Sequence, residues 1–304
     1  EGGLAHLLRT RRISAAKRVI ELLYRLNRAY RTSSDHDLYH LNWLQTALPL
    51  PKDGRPALIT VLGTDMNLLR LPLVKMLLRR VMRHRQVMLC PNAEWMAAPL
   101  ANAFGDLAGV ETVAFGIDPV WYEIQRSPAA ADPTWIVVTR LTRGKLGPLF
   151  SWTKPLFEGS NRQLHLFGPM QEEIEVPDWV SYHGPVTPDE LSNRWFPQAQ
   201  GLITLSQHAE GRPQVMLEAM AGGIPIIASD IDAHQNLIKN GITGRLCSSP
   251  AEFAESIDLF EDPENNREYG QNAREWVTSR MGTWDDCANR YIKIYNRLLD
   301  GNIA

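Results

Sequence analysis

The sequence predicts an α/β protein built from two parallel-sheet domains. Three observations point there: a length of 304 residues, short apolar runs that alternate with helical periodicities, and an interruption midway, Arg126-Ser-Pro-Ala-Ala-Ala-Asp-Pro133. A chain of this length exceeds one ordinary core and falls short of three. Alternation of strand and helix signals is the mark of parallel sheets, and the two prolines with small residues between them read as a linker. A hydrophobic share of 44% and a charged share of 22% fit a folded enzyme-sized protein.

In chain order, Leu4 to Tyr30 has helical periodicity, and Asp37 to Trp43 and Ala57 to Leu62 read as short buried strands. Leu68 to Arg85 reads as a second helix, followed by a strand at Gln86 to Leu89, a helix at Trp95 to Phe104 and a strand at Glu111 to Phe115. Beyond the linker, strands are expected at Trp135 to Thr139, Gln163 to Phe167, Val180 to Tyr182, Gly201 to Leu205, Ile224 to Ala228 and Arg245 to Leu246. Asn265 to Leu299 reads as two helices broken near Gly282. The expected domains are therefore residues 1–128 and 134–283, with a final helix over 284–304 crossing back to the amino domain. Ligands of such sheets sit outside the carboxyl ends of the strands, here in a cleft between the two domains.

Composition removes several classes of function. Cys90, Cys247 and Cys287 lack metal-ligand spacing, which argues against a zinc site or disulfide framework and for a reducing compartment. With no apolar run long enough to span a bilayer and no signal-peptide pattern, the cytoplasm is the expected location. Charge is divided unevenly, 17 Lys and Arg against 11 Asp and Glu in residues 1–130, and 15 against 23 in the rest. The basic excess gathers at Arg9 to Arg31 and at Arg70 to Arg85, interleaved with apolar residues. Such runs are either a solvated helix face or an amphipathic surface for an anionic membrane or acidic substrate, so a peripheral position on the inner face of a membrane is open. No nucleic-acid recognition module accompanies the charge.

The chemistry concentrates in Gln207-His-Ala-Glu-Gly-Arg-Pro-Gln-Val-Met-Leu-Glu-Ala-Met-Ala-Gly-Gly223. Gly211 permits close backbone approach, Pro213 suits a helix start, and Gly222 and Gly223 suit its end. A helix beginning just after a strand aims unpaired N–H groups and a positive dipole end at the strand edge, which suits a diphosphate. Glu210 stands at that turn, and Glu218 lies about two turns further on, so the two carboxylates can accept hydroxyls from separate parts of one extended ligand. Their spacing alone is within reach of chance.

The surrounding residues carry more. Ser206, Glu210, Gly211, Pro213, Leu217, Glu218, Ala219, Met220, Ala221, Gly223, Pro225, Ala228 and Ser229, together with Arg140-Leu-Thr-Arg-Gly-Lys145, Leu166-Phe-Gly168, Tyr182-His-Gly184 and Asn240 to Gly244, resemble glycosyltransferase family 4 over about residues 135 to 300. That family comprises retaining enzymes of the GT-B fold with a Glu-x7-Glu motif, two Rossmann-like domains facing across a cleft. The resemblance implies that Glu218 binds the donor ribose, Glu210 meets the transferred sugar near its anomeric centre, and Arg140 and Lys145 hold the diphosphate. It also implies donor contacts from Gly211, Arg212, Pro213, Gly168, His183 and Leu217, with no metal and no cofactor besides the nucleoside diphosphate sugar substrate. Two cations on a leaving diphosphate make chemical sense without the family, because they stabilise the charge that develops on it.

The amino half resembles the family only in patches, and Leu62 occupies the position where many members carry a His. Gly63, Thr64 and Asp65 remain there, so Asp65 either meets sugar hydroxyls or caps the following helix. His40 is either a satisfied core residue or lines the cleft. Gly3 belongs either to a remnant of the family's Gly-rich loop or to a flexible end. With no strand pattern before Leu4, the acceptor domain is expected to be reduced or to lack its first strands.

The reading that follows is a retaining hexosyltransferase using a UDP- or GDP-sugar and a glycan, lipid-linked or small-molecule acceptor. The alternative is a non-catalytic, nucleotide-binding subunit of the same fold.

Overall fold

The computed structural model describes residues 12–32, 35–128, 131–208 and 212–301, with side chains in the first of these segments described from Lys17 onward. The chain forms two compact units, residues 1–114 with 288–304 and residues 115–287.

The first unit holds a parallel sheet in the order β1-β2-β3-β4, formed by Tyr39–Asn42, Ala57–Val61, Val87–Pro91 and Gly109–Val110. The inner strands β2 and β3 are buried at every position, as strands covered on both faces must be, while the edge strand β1 alternates buried and exposed. Leu44, Leu78, Leu100 and Phe104 pack on the sheet. Two expectations shift. The helix expected from Leu68 runs from Pro72 to Met82, because Leu71 before the proline is held extended, and a 3₁₀ segment Gly63–Arg70 precedes it. The strand expected at Glu111 to Phe115 pairs only at Gly109–Val110, although the N–H groups of Glu111 and Val113 still donate to Leu89 and Pro91 carbonyls at 3.0 and 2.9 Å.

The second unit holds six parallel strands in the order β10-β9-β8-β5-β6-β7, where β5 is Thr134–Val138, β6 Gln163–Phe167, β7 Val180–Gly184, β8 Ala199–Thr204, β9 Ile226–Ser229 and β10 Arg245–Cys247. The chain builds outward from β5 to β7, then returns to β5's other side and builds β8 to β10. Successive connections thus diverge beside β5, and this reversal opens a crevice at the strands' carboxyl ends. Trp135, Leu166, Ile203, Phe253 and Phe260 make the core on one face. The helices Pro250–Glu261 and Pro263–Arg280 are each capped by a side chain, Ser249 and Asp262, accepting first-turn N–H groups.

The boundary expected at the Pro-rich stretch is displaced: residues 115–128 belong with the second sheet. Ile117 bridges Thr283, Trp121 packs against Phe196, and the Arg126 guanidinium donates to the carbonyls of Gly223 and Ala199, both at 2.7 Å. This segment buries Ile117, Trp121 and Ile124 and is tied down by hydrogen bonds to residues far along the chain. The helix Trp284–Leu299 begins in the second unit and ends in the first. There Ile294 and Leu298 are buried, and Arg290 donates to the Ala114 carbonyl at 2.9 Å.

One glycine decides how β6 ends. Gly168 has φ 133°, donates to Gly184 at 2.8 Å and accepts the Tyr182 hydroxyl at 2.9 Å. A Cβ there would lie 1.7 Å from the Thr139 carbonyl oxygen. Gly168→Ala is expected to cost at least about 2 kcal/mol in urea unfolding, by backbone strain and forced displacement of β5 from β6. A change within about 0.5 kcal/mol would contradict that packing.

Candidate functional site

At the carboxyl ends of β5, β6, β7 and β8 lies a cavity of about 420 Å³. Thr139, Arg140 and Lys145 line it from the β5 side, Gly168 and Pro169 from β6, Pro185 and Val186 from β7, Thr204 from β8, and Pro213, Gln214 and Val215 from the start of the next helix. Arg140 stands two residues past β5, is exposed, and its guanidinium has no hydrogen-bond or ion-pair partner among the described residues. Lys145 sits in the single turn Arg143–Leu146, where its amide donates to the Thr142 hydroxyl at 3.3 Å, and it is half-buried. Gly147 continues that turn with φ 52° where a side chain would strike the Leu205 carbonyl, so the turn is pressed against the end of β8.

The helix Gln214–Ala221 starts at the cavity wall, with Pro213 as its N-cap residue rather than its first helical one. Met216, Leu217, Ala219 and Met220 bury its inner face, and its carboxyl end closes on Gly222 and Gly223, the latter with φ 70°. Glu218 lies one turn beyond Gln214 on the same face. Its carboxylate is half-buried and has no hydrogen-bond partner among the described residues. Burial, and then the nearby charge of Asp118, push its pKa up to about 7. An acid held in this condition is poised to accept hydroxyl groups from a ligand.

The residues assigned from the sequence do not all meet at this cavity. Arg140, Lys145, Gly168 and Pro213 converge on it, whereas Arg212 is turned away, donating to the Met281 sulfur at 3.3 Å. The Leu217 side chain is fully buried and belongs to the core. His183 does not line the cavity. Strand alternation sends Tyr182 toward Gly168 and His183 to the opposite face, where it stacks on Phe167 and hydrogen-bonds His165 at 2.9 Å. Burial lowers the pKa of both imidazoles, His165 to about 4. Glu210, Gly211 and Gly3 lie outside the described residues. Sequence reasoning misses Thr139, Pro169, Pro185, Val186 and Thr204, which stand at or within two residues of a strand's carboxyl end, and Gln214 and Val215, which open the helix after β8.

In the first unit, Asp65 is buried and accepts the Leu62 N–H at 2.9 Å, and burial raises its pKa to about 6 against the lowering effect of the Leu62 and Leu44 amides. Gly63 opens the 3₁₀ segment that Asp65 closes back upon. His40 has an open residue surface but both ring nitrogens engaged, with Tyr295 Oη at 2.5 Å and Thr60 Oγ1 at 2.9 Å. Thr60 continues the chain of bonds to Tyr291 at 2.9 Å, so His40 anchors the returning helix to β1 and β2.

Among the described residues no cluster of His, Cys, Asp and Glu has metal-holding geometry, and no helix is long and apolar enough to cross a membrane. A second cavity of about 340 Å³, lined by Arg126, Gln200, Arg267 and Arg274 among others, lies at the opposite end of the second sheet, beside the start of β8.

Residues 162–276 match the family model "Glycosyl transferases group 1". The chain is 25% identical over 264 residues to a D-inositol 3-phosphate glycosyltransferase of Gordonia bronchialis, covering 74% of this chain and 56% of that protein. It is 24% identical over 299 residues to a GDP-mannose-dependent alpha-(1-6)-phosphatidylinositol monomannoside mannosyltransferase of Mycobacterium tuberculosis, covering 86% and 76%. The chain thus spans little more than half the length of the first of these relatives. Among solved structures, sucrose-phosphate synthase from Thermosynechococcus elongatus superposes with a TM-score of 0.75 at 18% identity, over 94% of this chain and 80% of that one. Anabaena HepE in complex with UDP and glucose gives 0.72 at 15% identity, over 90% and 81%. The two parallel sheets with these likenesses make the fold GT-B.

Glu218 also gives the site a pH signature. Its folded pKa lies above the unfolded value, so the folded protein keeps a proton the unfolded chain releases, and the group's contribution to stability is full below about 4.5 and lost as pH rises toward 7. Between about pH 5 and 8 the wild type should lose roughly 1–3 kcal/mol relative to Glu218→Gln, measured by denaturant unfolding at each pH. Parallel pH profiles would show that Glu218 is solvated.

Proposed function

We propose that this chain, a GT-B fold whose second unit carries a group 1 glycosyltransferase segment, transfers a hexose from a nucleoside diphosphate sugar to a hydroxyl acceptor with retention of configuration. The observation that carries the reading is the convergence of Arg140, Lys145 and a helix start on one cavity, with Glu218 one turn along the same helix face. In this reading the diphosphate lies between the two cations and the N–H groups at the start of Gln214–Ala221, and Glu218 accepts the ribose hydroxyls. Glu210, four residues before Gln214, serves the transferred sugar.

In the reaction the bond from the anomeric carbon to the diphosphate oxygen breaks, and the acceptor oxygen bonds to the same carbon from the same face. The acceptor's proton passes to the departing phosphate oxygen. Arg140 and Lys145 stabilise the charge that grows on the leaving diphosphate, the task a divalent cation performs in other transferases, so the proposal includes no metal. The UDP in the HepE structure and the GDP-mannose in the mycobacterial relative's name make both nucleotides reasonable donors.

Thermal-shift titration with UDP, GDP, ADP and TDP should raise the melting temperature with one base and not with the others. With that nucleotide's sugars, Arg140→Ala and Glu218→Ala should each lower kcat/KM for hydrolysis or transfer by roughly 100-fold or more. Normal turnover in both variants would remove the site assignment.

A membrane-presented acceptor is favoured by one surface. On the helix Pro72–Met82, Leu73, Met76 and Leu77 are exposed along one stripe that continues into Arg80, with Leu71, Arg70 and Arg83 also exposed at its ends. Apolar side chains flanked by cations fit an anionic lipid surface. The protein should float with vesicles containing phosphatidylglycerol and not with pure phosphatidylcholine, and Leu73→Glu with Met76→Glu should abolish flotation. Equal flotation with both vesicle types would contradict the surface assignment.

A further inference from the structure

Trp43 is the only non-glycine residue with a positive φ among the described residues, at φ 70° and ψ 137°. That region is close to glycine's own territory, and a side chain held there costs about 1–3 kcal/mol. The surroundings enforce it from both sides. The Trp43 N–H donates to the Thr60 carbonyl at 2.9 Å, and the Trp43 carbonyl accepts the Thr46 N–H at 3.2 Å and its hydroxyl at 2.8 Å. The next amide, Leu44 N–H, donates to the Asp65 carboxylate, which also holds Leu62. Leu44 and Asp65 are both buried, so the peptide that sets Trp43's conformation is fixed by the loop that follows β2.

Packing does not explain the strain, because the Trp43 side chain is not used in the core. The residue is 45% exposed, and its indole N–H has no partner among the described residues. Its place is specific. Asn42 is in register with Thr60, and Thr60 with Cys90, so Trp43 stands one residue past the ladder at the carboxyl edge of the first sheet. Asn92 lies on the same edge, just beyond β3, 3% exposed, with its side-chain oxygen unpaired among the described residues. The carboxyl edge of a parallel sheet is where such folds bind ligands.

We propose that Trp43 is a carbohydrate platform for the acceptor: its ring stacks on the C–H face of a pyranoside or cyclitol, and its indole N–H donates to a ring hydroxyl. Asp65 is then a positioning residue that acts through Leu44. An aromatic ring with a polar handle suits a ligand that is apolar on one face and hydroxylated at its rim. The proposal rests on the glycosyltransferase reading for the word acceptor, while the sugar contact is tested separately.

Saturation-transfer NMR with methyl α-D-glucopyranoside, methyl α-D-mannopyranoside and myo-inositol tests it on wild type, Trp43→Gly and Trp43→Phe, with the melting temperature and donor hydrolysis rate of each. The wild type should transfer saturation to the C–H protons of at least one probe. Trp43→Gly should lose that signal at least about tenfold and melt at the same or a higher temperature because the strain is relieved. Trp43→Phe should keep the sugar signal within about threefold. No signal from wild type with any probe, an undiminished signal in Trp43→Gly, or loss of signal in Trp43→Phe would each overturn the proposal. Absence of donor hydrolysis in wild type would remove the transferase reading and leave the sugar contact to be judged by NMR alone.

Discussion

The second unit depends on a reversal of strand order beside β5. Because the chain adds β6 and β7 on one side and β8 to β10 on the other, the connections that leave β5 and β8 part at the sheet's carboxyl edge and leave a gap there. Gly168 keeps the gap's floor closed, since only a residue without Cβ can bring the end of β6 against the Thr139 carbonyl. Arg140 and Lys145 from the connection after β5, and the start of Gln214–Ala221 from the connection after β8, then reach one cavity. The site is a product of topology first and of residue type second.

Electrostatics give that cavity its preference. Two cations after β5 and a helix start after β8 line it, and the one acid on that helix, Glu218, is kept from full solvation by burial and by Asp118. Such a division separates a place for negative charge from a place for hydroxyl groups. A nucleoside diphosphate has both along its length. In the first sheet Asp65, buried and bonded to the Leu62 and Leu44 amides, directs hydrogen-bonding capacity to backbone and thereby shapes the edge.

Much of this is legible in the sequence. Buried parallel strands are near-continuous apolar runs, so β2, β3, β5, β6 and β8 can be read within a few residues, and the Gly-Arg-Pro turn marks the helix that carries Glu218. Less legible is whatever depends on distant partners. The Arg126 to Pro133 stretch looks like a linker by composition, yet Arg126 is bound to carbonyls at Ala199 and Gly223, which no local pattern reveals. His183 stands beside Gly184 in a family-like triplet, and only the strand's alternation shows that its ring faces away from the cavity. The positive φ of Trp43 is invisible in sequence because Trp is among the last residues to expect there, and the constraint comes from Thr60, Thr46 and Asp65.

The central claim is that the nucleotide occupies the cavity at the carboxyl edge of the second sheet. Amide hydrogen exchange with and without a saturating nucleoside diphosphate measures this directly. Slowed exchange at Thr139 to Lys145, Gly168, Val186 and Val215 to Glu218, with little change at Gln125, Arg126 and Arg267 to Arg274, is the predicted result. Protection confined to the second cavity around Arg126, Arg267 and Arg274, with none at Arg140 or Lys145, would contradict it.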